Sequence, residues 1–388
     1  MNGVYFGYLG IGLYESIRYG IKNSSSFSSS LYQMPAMPSI ENNETYCWTA
    51  SANATMASMI RYFNSGLTAA NLASIDSLEN FYNEKINIQT SATDFIRSQA
   101  FGRSVATAIY TWSKSDSFNP TNTGYVAPVF DGAWVPTPPA MISPPASPYV
   151  SNARPFLMAN LTAVAPPFPF AYSEDTSSDF YKMEKEVYDV FQGLTTEQKN
   201  IALFWVDQGN GLGYTPDGHN MLFVSQAIEK TKVNLAIAAE AFAKSGIAER
   251  ESNIACFRTK YKYNLLRPVT YIRKLIDPNW LSFIPTPPFP EYPAAHAFVT
   301  AAVVQAVTDL LGDHVSVTDH AYDFRGWTPR TYPSLFSAAE EAGISRLYGG
   351  IHYRVSISAG LNLGRDLGNM IGKIKLYDKQ SNSNPNAY

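Results

Sequence analysis

Phe289-Pro-Glu-Tyr-Pro-Ala-Ala-His296 runs straight into an alanine- and valine-rich stretch that reaches Leu311 and stops at Gly312. Pro293 suits the first position of a helix, where its missing N–H is no loss, so the stretch predicts a helix that opens just before His296. The free N–H groups of such a first turn, with the helix dipole behind them, make a natural seat for an anion. Two other segments supply the charge. Lys260 and Arg267 lie seven apart, and Pro268 pushes Arg267 toward extended backbone, which predicts that the preceding helix ends there. Downstream, Ser345-Arg346 precedes His352 across Gly349-Gly350, a pair that permits the bend needed to face both side chains toward one point. Three cations and two of only five histidines therefore recur in order along the C-terminal half. Such a set fits a tetrahedral oxyanion, phosphate or vanadate: Arg and Lys neutralise its charge, and one imidazole attacks or ligates the central atom while the other moves protons. The plainer readings are a solvated basic helix face for Arg258, Lys260 and Lys262, and ordinary packed histidines for the other two segments.

With 388 residues, 45% of them hydrophobic, the chain can bury a large core, as one unit or as two closely packed halves. A net charge of −3 supplies no basic field that would draw it to nucleic acid. The 25 Tyr and 22 Phe against only 16% charged residues imply a large interior or a subunit interface, and so leave a homo-oligomer open. Cys47 and Cys256 show no metal-ligand spacing and read as two buried thiols. No basic n-region or A-x-A cleavage site follows Met1. The apolar run of residues 294–311 carries His296, Gln305 and Asp309 and is too short and polar for a membrane span, which needs about 20 apolar residues.

Helical periodicity dominates and predicts an all-α fold with few or no strands. Expected helices cover residues 5–19, 45–63, 72–82, 92–113, 221–244 and 248–266. Residues 125–170 break the pattern with Val135-Pro-Thr-Pro-Pro139 and Ala165-Pro-Pro-Phe-Pro169 and read as a wrapping segment. The expected organisation is an N-terminal helical half, 1–200, and a C-terminal half, 201–388, which carries the oxyanion site, the two packed as one unit. Asp217 and His219 fall in a Thr-Pro-Asp-Gly-His turn that reads as structural. His314 and His320 flank Asp313 and Asp319 in what reads as a solvated polar loop rather than a metal site.

The three segments resemble the signature of the vanadium-dependent haloperoxidase and type 2 phosphatidic acid phosphatase superfamily: K-x6-RP, then PSGH, then SR-x5-H-x3-D. The first and third spacings are met to the residue, and Phe289–His296 reads like the F-P-x-Y-P-S-G-H of the haloperoxidase branch, specifically its soluble bacterial members. The resemblance implies large helical bundles and vanadate as cofactor, with phosphate able to occupy the same site. It assigns Lys260, Arg267, Arg346 and the backbone of Ala295 to the anion. His352 becomes the axial vanadium ligand, or the phosphorylated nucleophile of a phosphatase, and His296 the acid–base residue. Asp207, in Phe204-Trp-Val-Asp-Gln-Gly, resembles the Asp that bonds that acid–base His, and Phe289 is an apolar wall of the substrate pocket. The bacterial relatives also imply export to the periplasm.

Three positions depart from the signature. Its Ser and Gly before the His are Ala294 and Ala295, so one hydroxyl donor is missing, although the Ala295 N–H remains. The Asp four residues after the second His is Ser356, so His352 must find another acceptor for its second ring nitrogen, such as a backbone carbonyl. The leading expectation is an enzyme that oxidises a halide, or a small organic acceptor, with hydrogen peroxide at a His-ligated vanadate. The alternatives are a soluble acid phosphatase working through a phosphohistidine, and a non-catalytic oxyanion-binding member.

Overall fold

The computed structural model describes residues 3–64, 66–207 and 213–378. Within them lie α1 (Phe6–Ile17), α2 (Trp48–Phe63), α3 (Ala69–Asn87), α4 (Ala92–Ser113), α5 (Asp179–Gln192), α6 (Thr196–Phe204), α7 (Pro216–Thr231), α8 (Leu235–Tyr263), α9 (Pro268–Leu275), α10 (Ala295–Leu311), α11 (Leu335–Tyr348) and α12 (Arg354–Gly372). The fold is all-α. Among the described residues one antiparallel ribbon of β1 (Val317–Asp319) and β2 (Arg330–Tyr332) interrupts it, with Val317 opposite Tyr332. No helix among the described residues is long and apolar enough to cross a membrane.

The centre is α10. Its sequence is apolar around most of its circumference, with Gln305 and Asp309 among the polar exceptions, and such a helix is stable only when other elements cover most of its sides. Accordingly α8, α11 and α12 all pack on it. The α12 contact is close because Gly364 and Gly368 face α10: a Cβ at Gly364 would meet the Phe298 carbonyl at 2.4 Å, and one at Gly368 would meet the Gln305 Cβ at 2.5 Å. His296 is the second residue of α10 and His352 lies two residues before α12, so their packing fixes how the two histidines lie relative to each other. On the other side, one apolar cluster joins Tyr8 and Ile11 of α1 to Met59 of α2, Ile109 of α4, Ala243 of α8 and Val303 of α10.

Two expected boundaries are corrected. The predicted break between helices at 245–247 does not exist, since α8 runs unbroken for 29 residues. The break lies earlier, where Lys232 adopts φ 52° and Asn234 caps α8 by accepting from the Ile237 N–H. Gly246, inside the expected break, is a contact residue: a Cβ there would meet the Phe6 carbonyl at 2.3 Å, at the crossing of α1 and α8. The second correction concerns α10. Ala294, not Pro293, is the boundary residue, with Ala295 first in the helix. The Pro293 carbonyl accepts from Lys260 and the Ala294 N–H donates to the Ser356 carbonyl, which delays the helix by two residues.

The proline-rich segment has no α-helix among its residues 125–170. It carries two short 3-10 turns, at 150–152 and 158–160, and is tied to α8 by buried charge. Arg250, wholly buried, donates to the carbonyls of Val4 (2.8 Å) and Arg154 (3.0 Å) and pairs with Asp116. Glu251 accepts from the Phe156 N–H and, at 2.7 Å, from Asn160. Both thiols are free, Cys256 buried and Cys47 partly exposed.

Gly246→Ala separates two effects of opposite sign. Helix propensity alone favours Ala by about 1 kcal/mol. The α1 contact predicts instead a loss of about 1–3 kcal/mol from overpacking, read as a lower midpoint in urea unfolding.

Candidate active site

His352 follows the bend at the end of α11, where Gly350 takes φ 74° and turns the chain into the short connection to α12. The imidazole is buried, and its Nδ1 lies 2.7 Å from Glu291 Oε1. The same carboxylate accepts from the Tyr353 N–H (3.1 Å) and, through Oε2, from the Ser356 hydroxyl (2.7 Å). The expected carbonyl acceptor is thus replaced by a carboxylate, 61 residues away in sequence. Ser356, where the family carries Asp, holds that carboxylate in place. With Nδ1–H committed to Glu291, Nε2 keeps its lone pair, and Arg267 Nη1 lies 3.1 Å from it. Burial, then the charges of Arg267, Lys260 and Arg346, hold the His352 pKa well below the ordinary imidazole value. Burial raises the Glu291 carboxyl to about 7 against the pull of Lys260 and Arg267.

Arg267 stands between α8 and α9, extended at φ −90° and ψ 152° as Pro268 requires. Its Nε donates to the Phe289 carbonyl (2.8 Å) and Nη1 to the Ile351 carbonyl (2.9 Å), while Nη2 is buried with no partner among the described residues. Lys260 is wholly buried and its Nζ donates to the carbonyls of Pro290 (3.1 Å), Glu291 (2.7 Å) and Pro293 (2.6 Å). An ammonium has three protons, so Lys260 as placed contributes charge and shapes the 290–293 corner, with no donor left over for an anion. Burial lowers Lys260 to about 8 and Arg267 to about 10. Arg346, at the end of α11, donates from Nε to the Ser345 hydroxyl (3.0 Å) and from Nη2 to the Trp205 carbonyl.

His296 lies in the first turn of α10 with its side chain 15% exposed. Its Nε2 is 3.3 Å from Asp207 Oδ2, close enough for an ion pair but without hydrogen-bond alignment. Burial and then the charge of Arg346 lower His296 to about 4. Asp207 has φ 46° and is buried; its Oδ1 accepts from Tyr322 (2.7 Å) and meets His219 Nδ1 at 2.8 Å. Burial opposes ionisation of Asp207, but the charge and hydrogen bond of His219, with His296 close by, pull the carboxyl well below the usual range.

A cavity of about 380 Å³ is lined by Phe289, Ala295, His296, Arg346 and His352 together with Val299, Thr300, Asp217 and residues of the proline-rich segment, Ser147 and Val150. Five of the residues singled out in the sequence therefore face one space. Lys260, Arg267 and Asp207 stand behind its wall. Phe289 packs on Phe257 with ring centroids 5.3 Å apart and lies 5.1 Å from the Arg267 guanidinium, so the wall is apolar with cations beneath it. Ala294, whose missing hydroxyl marked the departure from the signature, is wholly buried in an apolar cluster with Leu347 and Tyr353. His320 pairs with Asp323 at 2.8 Å in an exposed position, and no metal-binding cluster occurs among the described residues. Its neighbour Asp319 is not solvated: it is buried against His219. Glu291, His219 and Asp319 are the groups that sequence reasoning missed.

The model of the second helical-bundle domain of the VCPO family matches residues 275–377. A solved bacterial vanadium-dependent iodoperoxidase is 32% identical, with a TM-score of 0.84 over 97% of this chain and 92% of that one. Apo and holo structures of a bacterial vanadium-dependent chloroperoxidase share the fold at 13% identity, with TM-scores of 0.67 and 0.65 and coverage of 95% and 96% of this chain and 92% of each of theirs. No curated protein sequence gives a significant match. The chain belongs to the vanadium haloperoxidase superfamily.

Glu291→Ala strips His352, Tyr353 and Ser356 of their shared acceptor and leaves Lys260 and Arg267 buried beside no carboxylate. Removing one member of such a buried charged cluster costs about 3–5 kcal/mol. Glu291→Gln, which keeps an acceptor oxygen, should lose distinctly less in the same unfolding measurement.

Proposed function

We propose that the protein is a vanadate-dependent haloperoxidase that uses hydrogen peroxide to oxidise a halide or a small organic acceptor. The observation that carries this reading is a Glu291-held His352 in the cavity wall, with the Arg267 guanidinium directly behind it, 3.1 Å from Nε2 through Nη1 and with a buried Nη2 that has no partner among the described residues. A ligating nitrogen beside a donor that lacks an acceptor fits an oxyanion. Vanadate would be held by His352, by the guanidinium groups of Arg267 and Arg346, and by the first-turn N–H groups at Ala295. When bound, it supplies a Lewis-acid centre that activates peroxide.

The chain's own residues do the rest. Glu291 fixes the His352 tautomer, so that Nε2 and not Nδ1 offers its lone pair. His296, lowered to about 4, is uncharged at neutral pH and can accept a proton from hydrogen peroxide. Asp207 Oδ2, 3.3 Å away, stabilises the imidazolium that results. Phe289 and Phe257 keep water from the halide side of the cavity. That the 32% identical relative is an iodoperoxidase supports iodide among the candidate halides.

A second reading has one specific observation behind it. The Glu291 carboxylate restores to His352 the kind of partner that a nucleophilic His requires, so phosphoryl transfer through a phosphohistidine is chemically open. The two readings separate in one assay series. Purified protein with vanadate should oxidise iodide or bromide in a peroxide-dependent manner, followed by halogenation of a phenolic dye. Hydrolysis of an aryl phosphate with no vanadate-dependent oxidation would overturn the peroxidase reading.

Substitutions assign the roles. His352→Ala should abolish vanadate retention on desalting. Phe289→His should retain vanadate and change the halide preference, because the side chain lines the cavity and does not ligate. Glu291→Gln should weaken vanadate binding by about 10- to 100-fold, as is usual when the partner of a ligating imidazole is altered. Equal vanadate affinity in the wild type and His352→Ala would refute the assignment of the ligand.

A further inference from the structure

His219, in the first turns of α7, is wholly buried. Its Nδ1 lies 2.8 Å from Asp207 Oδ1 and its Nε2 lies 2.8 Å from Asp319 Oδ2. A neutral imidazole has one N–H and one lone pair, so it cannot satisfy two carboxylates at once. The other contacts of those carboxylates come from donors. Asp207 Oδ1 accepts from Tyr322 at 2.7 Å, and Asp319 Oδ1 accepts from the Ala321 N–H at 2.9 Å and from Gln226 at 3.4 Å. Both acids are therefore placed as anions, and the ring between them as a cation. The indole of Trp205 stacks on it at 4.5 Å and 23° and completes a site suited to a cation.

The chain Asp319–His219–Asp207 ends at His296. Asp207 is a buried carboxylate with two imidazoles within reach, and one counter-charge is enough for it. His219 is the better placed, at 2.8 Å with hydrogen-bond alignment, against 3.3 Å without it for His296. We propose that His219 is a positioning residue, a fixed imidazolium that orients Asp207 and supplies its counter-charge, so that His296 is left uncharged and free to take a proton. The functional consequence rests on the reading of His296 as the proton acceptor; the charge assignment does not.

Other ionisable groups bear on the same relay. Asp207 faces Tyr322 from the loop after β1, and Arg346 of α11 acts on both Asp207 and His296. The rings of Tyr214 and Tyr322 flank His219, Arg325 lies against Tyr322, and Asp217 shares the cavity with His296. The directions agree. Burial opposes charge on His219, but Asp207 and then Asp319 raise it to about 10, whereas burial and Arg346 take His296 to about 4. The His219 contribution to stability is thus complete below its unfolded value of about 6.5 and is lost as pH rises through the folded value.

The test is a titration of the five histidine side chains by long-range 1H–15N NMR on protein without vanadate, with His219 and His296 assigned from single substitutions. The wild type should show His219 protonated on both nitrogens between about pH 5 and 9 and His296 neutral throughout that range. His219→Gln keeps a donor to Asp207 but removes the charge, so His296 should become the counter-ion and its midpoint should rise by at least about one unit, a tenfold change in proton affinity. Asp319→Asn keeps the hydrogen bonds but removes one anion, and should lower the His219 midpoint by a similar amount. A merely structural His219 would lower the unfolding temperature without moving the His296 midpoint. A neutral His219 at pH 7, or an unmoved His296 in His219→Gln, overturns the proposal. If that variant does not fold, the wild-type titration and Asp319→Asn still decide it. A shifted His296 in a protein that oxidises no halide would sink the peroxidase reading and leave the charge relay standing.

Discussion

Buried positive charge is the constraint on which this structure turns. Lys260, Arg267 and Arg346 are all at most 2% exposed around one cavity, and each charge removed from water costs several kcal/mol unless it is paired or well solvated by protein dipoles. The chain answers with three carbonyls on Lys260, two on Arg267, one on Arg346, and two carboxylates, Glu291 and Asp207, close by. Asp207 is already engaged by His219, so the cation set remains in excess. Arg267 Nη2 is the local sign of that excess, and an unsatisfied buried donor costs about 1–3 kcal/mol. An oxyanion would relieve it and would stabilise the fold through mass action, by about 2.7 kcal/mol at a concentration one hundred times its Kd.

The scaffold makes that charge concentration tolerable by rigidity. The α10 and α12 helices approach through glycines, and the corner at 290–294 is held from both sides, by Lys260 on its carbonyls and by Ser356 on the Ala294 N–H. As a result the first turn of α10, the His352 connection and the Arg267 corner form one block. Nothing in it has to be ordered when an anion arrives, which is the condition under which fixed dipoles and charges are most effective.

Much of this was legible in the sequence, because the all-α fold rests on long periodic segments and the site on cations at fixed short spacings. The parts that were not legible depend on distance. Glu291 lay within the quoted Phe289–His296 stretch, yet nothing local says that its carboxylate turns to His352 rather than to solvent. Ser356 looked like a loss, and only the packing of α12 beside the 290–294 corner makes it a hydroxyl donor to Glu291. His219 read as a turn residue because its two partners come from a loop before α7 and a strand about a hundred residues later. The α7–α8 boundary was misplaced for a related reason: the small Gly246 inside the expected break serves the α1 crossing and does not end a helix. Lys260 shows the opposite limit, since its spacing was read correctly while its protons go to backbone carbonyls.

The central claim is that the excess buried charge defines one oxyanion site at His352. A crystal structure of the protein grown with vanadate tests it most directly. The account predicts anion density within bonding distance of His352 Nε2, with Arg267 and Arg346 as donors and the Glu291–His352 pair unchanged. Full vanadate occupancy elsewhere, with His352 still free of any anion, would contradict it.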